Sequence, residues 1–163
     1  AAMLATLVDA LDALGAMRRD EGARLRTVMT GQLDTMDGLR HAAEACASAH
    51  PDAARNRLKE QVEALLQMSP ALTEERLNQE AALLIAKADI REELDRLAAH
   101  IAAARELLAA GEAVGRRLDF LCQELNREAN TVCSKSGDLE LTRIGLDLKA
   151  VVEQFREQVQ NIE

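Results

Sequence analysis

Only two prolines occur in this chain, Pro51 and Pro70. Proline removes a backbone donor and clashes with the preceding turn, so it is an effective stop for a helix. Outside the region around these two residues, little in the covalent chain prevents very long helices. The apolar residues follow the same logic. Leu4, Leu7, Leu11 and Leu14 recur at helical spacing, and Leu25, Val28, Leu33, Met36 and Leu39 roughly continue their face. This predicts a helix over 3–49 with that stripe along one face. His50 precedes Pro51, where helical backbone is disfavoured, and a second, charged helix is expected over 52–67. Pro70 marks the next break.

Thr73 is a plausible N-cap, with Glu74 and Glu75 favourable in the first turn. From there to residue 110 the pattern predicts one uninterrupted helix, about 57 Å long at about 1.5 Å per residue. Its stripe is Leu83, Ile90, Leu94, Leu97, Ile101 and Leu108, alternating as a coiled-coil seam does. A turn is expected at 111–115. The next helix, over about 112–132, offers Leu118, Leu121, Leu125, Ala129 and Val132 as its core face. After a polar loop at 134–137, Ser136 or Asp138 can cap a last helix burying Ile144, Leu148, Val151, Phe155, Val159 and Ile162. No segment has the alternating, β-branched pattern of a strand. The expected fold is therefore all-α: an elongated antiparallel helical bundle of coiled-coil-like hairpins. The break at Pro70 divides the chain into 1–72, a helical linker region, and 73–163, a C-terminal helical domain. The chain opens inside a helical period, so it is expected to be a fragment of a larger protein.

Composition narrows the function classes. The chain has 163 residues and a formal net charge of −8, with two Phe, no Trp and no Tyr. A general polyanion binder would carry a broad basic face, and a single-strand binder of the stacking kind needs aromatic platforms. Neither is present, although a local basic patch or a metal-mediated phosphate site remains compatible. The cysteines, Cys46, Cys122 and Cys133, form no CxxC pair; they read as reduced, mostly buried thiols of a cytoplasmic protein. No apolar run reaches the length of a membrane span. GxxxxGK[ST], GxGxxG and HExxH are absent.

Two polar stripes remain. On a helical wheel, Asp89, Glu93, Arg96 and His100 fall within roughly 60° of one another. Asp89 and Glu93 are carboxylates four residues apart, which repel unless a cation joins them. Carboxylates with an imidazole suit Mn²⁺ or Mg²⁺ better than a structural zinc. The helix over 112–132 repeats the division. Arg116, Asp119, Gln123, Asn126, Arg127 and Asn130 lie opposite its core face, and Glu124 and Glu128 form a second acidic pair beside Arg117. Arginines and amides in a row can grip phosphate oxygens and sugar hydroxyls. The same groups can equally form a solvated face or an inter-helix salt-bridge network, and spacing leaves both readings open. Met17-Arg18-Arg19-Asp20-Glu21-Gly22 is a third charged cluster; a glycine inside a helix there suggests close approach of backbone or ligand.

Several runs together resemble one family. ERLNQE (75–80), DIREELDRLAAHI (89–101), VGRRLDF (114–120), Gln123-Glu124, Asn126-Arg127-Glu128, Asn130-Thr131, Ser134-Lys135-Ser136 and REQVQNIE (156–163) resemble the C-terminal domain of the YicC/YloC family of bacterial proteins. Met17-Arg18 with Glu21-Gly22 resembles that family's MR-x-x-EG element. The resemblance implies a metal-dependent endoribonuclease that uses a divalent ion such as Mn²⁺ or Mg²⁺, acts on RNA and forms ring-like homo-oligomers. It also implies a further N-terminal domain; no membrane partner is expected, since no apolar run is long enough to span one. Carried onto this chain, it makes Asp89, Glu93, Glu124 and Glu128 the candidate metal ligands. Glu93, His100 and Glu124 become the candidate catalytic residues, with His100 as general acid or base. Arg116, Arg117, Gln123, Asn126, Arg127, Asn130 and Lys135 become candidate RNA contacts. The alternative is a non-catalytic oligomerisation or interaction module whose polar strips are inter-subunit salt bridges.

Overall fold

The computed structural model describes residues 2–49, 60, 62–64, 79, 82, 89–110 and 114–162. The expected helix over 52–67 and Leu83 of the long stripe lie largely outside them. Among the described residues there is no strand. Among the described residues the fold is carried by α1 (Ala2–Ala49), α2 (Arg91–Ala110), α3 (Gly115–Lys135) and α4 (Leu139–Val159).

Each helix packs against two neighbours, α1 and α3 each lying on α2 and α4. Consecutive helices run in opposite directions. Lys135 at the end of α3 reaches Asp89 and Glu93 at the start of α2. Cys46 at the end of α1 lies against Asp138 at the start of α4. Arg105, late in α2, pairs with Asp34 and Asp37 of α1. The short connection 136–138 leaves α4 no other course than back along α3.

The α3 stripe is buried as expected, and of the α4 stripe Leu148, Phe155 and Val159 are buried while Ile144, Val151 and Ile162 pack partly buried against the core. Leu118, Leu125, Ala129, Val132, Leu148 and Phe155 are fully enclosed, and Val152 joins them. Asp138 is the N-cap of α4, its carboxylate accepting from the Leu141 backbone N–H at 2.8 Å. The α3–α4 packing is tightest at Gly145: a Cβ there would stand 2.5 Å from Cys133 Sγ. A bare α-carbon is what lets the two helices approach at that level.

One expectation fails. The helix expected to run unbroken over 73–110 does not do so: Asp89 and Ile90 are not helical, and α2 begins at Arg91. The Asp89 carboxylate accepts from the Arg91 backbone N–H at 3.0 Å, a local bond that competes with helix continuation. At the other end, the apolar stripe of α1 is covered over only part of its length. Met3, Leu4, Leu7, Val8, Leu11, Leu14 and Met17 are between 50% and 88% exposed, and Val28 is exposed too. The buried part of α1 is Met29, Leu33, Met36, Ala43 and Cys46. Length explains this. With 48 residues, α1 extends about 72 Å, whereas α2 to α4 have 20 or 21 residues and span about 30 Å. The first half of α1 therefore overhangs the bundle.

Candidate metal centre

The α3 core face turns Leu118, Leu121 and Leu125 inward, which sets Glu124 and Glu128 one turn apart on the flank facing α2. On α2, burial of Leu97, Ile101 and Ala104 sets His100 on the flank facing α3. The antiparallel register brings these flanks level. One ligand atom from each of His100, Glu124 and Glu128 lies within 4.8 Å of the others. Glu128 is buried and His100 and Glu124 are half-buried, so the cluster opens to solvent on one side.

Arg96, one turn before His100, donates from Nη1 to Glu128 Oε1 at 3.4 Å and also pairs closely with Glu92. Glu92, then Glu128, hold its guanidinium above the ordinary arginine range, so its charge is permanent. Burial of Glu128 is thus partly compensated by the Arg96 guanidinium.

Two carboxylates and an imidazole are the donor set of a divalent cation with intermediate hardness. Ligand atoms about 2.1 Å from one ion stand roughly 3 to 4 Å apart, so small side-chain rotations would close the cluster around one. Three protein ligands leave coordination positions for water and a substrate oxygen.

The other candidate residues divide into separate groups. Glu93, buried, accepts from Lys135 Nζ at 2.8 Å, and the same ammonium donates to the Asp89 carbonyl at 2.8 Å. Glu93, Asp89 and Lys135 thereby join the start of α2 to the end of α3. Asp89 also turns its carboxylate to the Arg91 N–H. None of these three belongs to the His100 cluster. Gln123, Asn126, Arg127 and Asn130 share an open groove of about 470 Å³ with Arg156 of α4, on the flank of α3 away from α2. Within it Asn130 donates to Asn126 Oδ1 at 2.7 Å, and Gln123 donates to Asp119 at 3.0 Å. Arg116 and Arg117 are exposed at the start of α3 and do not line that groove.

Sequence reasoning put His100 on a strip with Asp89 and Glu93, whereas its near neighbours come from α3. It passed over the Arg96–Glu128 contact and the entry of Arg156 into the groove. Arg96 did carry a signal, standing four residues before His100 on the same strip; Arg156 was marked only as the first residue of the REQVQNIE run, with no polar strip on its helix.

Among the described residues no helix is long and apolar enough to cross a membrane. Comparison with known proteins gives consistent matches. Residues 43–163 match the family model described as endoribonuclease YicC-like, C-terminal. The chain is 39% identical over 162 residues to a protein of Haemophilus influenzae described as probable endoribonuclease YicC, covering 99% of the chain and 55% of that protein. It is 36% identical over 155 residues to a protein of the same description from Clostridioides difficile, covering 95% of the chain and 53% of that protein. The chain thus spans about half the length of these curated relatives. With the family model matched over most of its length, the chain belongs to the YicC-like endoribonuclease family.

Proposed function

We propose that this chain carries the metal-binding half of a divalent-metal-dependent endoribonuclease, with His100, Glu124 and Glu128 as the ligands. The convergence of these three side chains from two helices carries the reading. A bound Mn²⁺ or Mg²⁺ would polarise a phosphoryl oxygen and lower the pKa of a water molecule. The protein's share is positional. Glu128 is held from behind by Arg96, and the Glu93–Lys135 pair ties α2 to α3 beside it. Arg127, Gln123, Asn126 and Asn130 offer charge and amides for phosphate and ribose in the groove on the other flank of α3. In this reading residues 73–163 hold the chemistry, 1–72 lead into it, and the protein acts in the cytoplasm on RNA as a homo-oligomer.

A second reading, an interaction module without chemistry, is favoured by one observation: the exposed apolar face of α1 between Met3 and Met17. One experiment separates the two. Full-length protein is incubated with a labelled RNA hairpin and Mn²⁺, beside Glu124→Gln and His100→Ala, while oligomer size is followed by sedimentation. Loss of cleavage with an unchanged oligomer supports the nuclease. Unchanged cleavage in both variants rejects the assignment of these ligands.

A further inference from the structure

Where α1 runs clear of the bundle, between Met3 and Met17, its large apolar side chains stand 50% to 88% exposed and take no part in the proposed metal centre. A helical arm of this length is marginal in water unless one face is packed, and Gly15 weakens it further. We infer that this arm is an interface with a second copy of the chain, the two arms lying antiparallel about a two-fold axis level with Asp9. The inference rests on the homo-oligomer of the proposed function and names a surface that builds it.

The spacing along the arm points to this partner. Leu4, Leu7, Leu11 and Leu14 follow one another by three, four and three residues, a seam that reads the same in both directions. A two-fold interface requires that self-complementarity, because the same patch serves on both subunits. With the arms antiparallel, Leu4 falls opposite Leu14 of the partner subunit and Leu7 opposite the partner's Leu11. The edges of the seam agree with this register. Met3 and Met17 are two heptads apart and so lie on one edge, where each meets the other's copy. Ala10, midway between them, meets its own copy. Val8 lies on the opposite edge and meets the partner's Val8 beside the axis. Every exposed large apolar side chain of the arm thus finds an apolar counterpart in one arrangement.

Charge disfavours the other arrangements. Asp9 and Asp12 are the only charged residues from Met3 to Met17, and both fall on the side away from the seam. Sliding the register by one heptad toward the bundles would set Leu7 against Arg18 of the partner subunit and Leu4 against the partner's Glu21. A parallel pair would continue past the arm and oppose Arg18 and Glu21 each to its own copy, like charge against like.

Size and room also fit. The apolar side chains of the arm expose roughly 700 Å² on each copy, comparable with the ~800 Å² that each partner gives to a standard stable interface. The arm meets the ends of the other helices only from about Arg18 onward, about 13 Å from the axis at about 1.5 Å per residue. The two bundles therefore stand at opposite ends of the paired arms.

The test uses full-length protein, sedimentation and cysteine crosslinking. Leu7→Glu/Leu11→Glu puts acidic side chains in the middle of the paired seam and should raise the dissociation constant about a hundredfold or more. Its thermal midpoint and Mn²⁺ uptake should match the wild type, since the face is outside the core. Under mild oxidation Val8→Cys should form an inter-subunit disulfide much faster than the wild type or Asp12→Cys, whose side chain faces outward. An oligomer of unchanged size and strength in Leu7→Glu/Leu11→Glu overturns the inference and leaves the homo-oligomer reading intact. Equal, slow crosslinking of Val8→Cys and Asp12→Cys overturns the antiparallel register. A wild type that is monomeric at every concentration overturns both readings, and a monomer in which Val8→Cys resists a maleimide assigns the face to another part of the same chain.

Discussion

Lys135 closes on Glu93 across two helices, its ammonium 2.8 Å from one carboxylate oxygen of a side chain that is almost fully buried. Among the described residues the other oxygen, Oε2, meets no hydrogen-bond partner. A buried carboxylate held on one side only depends heavily on its cation. Lys135→Met should therefore destabilise the fold by about 3 kcal/mol, because it leaves an uncompensated buried charge. Glu93→Leu/Lys135→Met should recover most of that loss. Urea denaturation of the two variants checks both expectations.

Metal binding should stabilise the folded chain through His100, Glu124 and Glu128. Saturation at about a hundred times Kd adds about 2.7 kcal/mol, visible as a rise in thermal midpoint on addition of Mn²⁺. Glu124→Gln and His100→Ala should abolish that rise while leaving the metal-free midpoint close to wild type, since both side chains are half-buried and outside the core. Arg96→Ala should reduce the rise only in part, as it removes a hydrogen bond behind Glu128 and no ligand.

Gly145 and Cys133 offer a packing test. Gly145→Ala should cost about 2 kcal/mol, since the new methyl overlaps the cysteine sulfur. The backbone atoms of Cys133 stand 3.5 Å from that methyl position, an ordinary contact. Cys133→Ala in the same chain should therefore relieve the strain and let the higher helix propensity of alanine emerge. Thermal unfolding of the single and double variants closes the cycle.

Burial pushes the Cys122 thiol up to about 12, with Asp119 adding to the effect. A raised thiol pKa means that the folded state keeps its proton longer than the unfolded one. The associated stability is complete below the unfolded value near 9.0 and is lost as pH rises from there toward about 12. Denaturant midpoints should fall over that window, and the fall should be shallower in Cys122→Ala. Alkylation of Cys122 at pH 8 should require unfolding.

The helical stripes were legible because burial in this bundle is periodic. Leu118, Leu125, Leu148 and Phe155 were all found from spacing. The stripe from Leu4 to Leu14 has the same period and is exposed, since periodicity defines an apolar face but not whether anything covers it. The break at Asp89 lacked a proline or glycine and came instead from a side-chain bond to the Arg91 N–H. The metal cluster was half legible. Glu124 and Glu128 share one helix and announce themselves by their spacing, whereas their meeting with His100 depends on the register between α2 and α3. That register reflects the packing of residues such as Leu97 and Leu125, which no spacing rule within one helix encodes.

The same dependence sets how such a site can change over generations. His100 stands on one helix and Glu124 and Glu128 on another, each aimed by its place in a helical turn. Replacing a neighbouring side chain alters the site by degrees. Inserting one residue into α3 between Leu118 and Glu124 would swing both carboxylates by about 100° and carry them off the flank that meets His100. Lineages of this protein should accordingly accept many substitutions along α2 and α3 while keeping the number of residues in each helix constant.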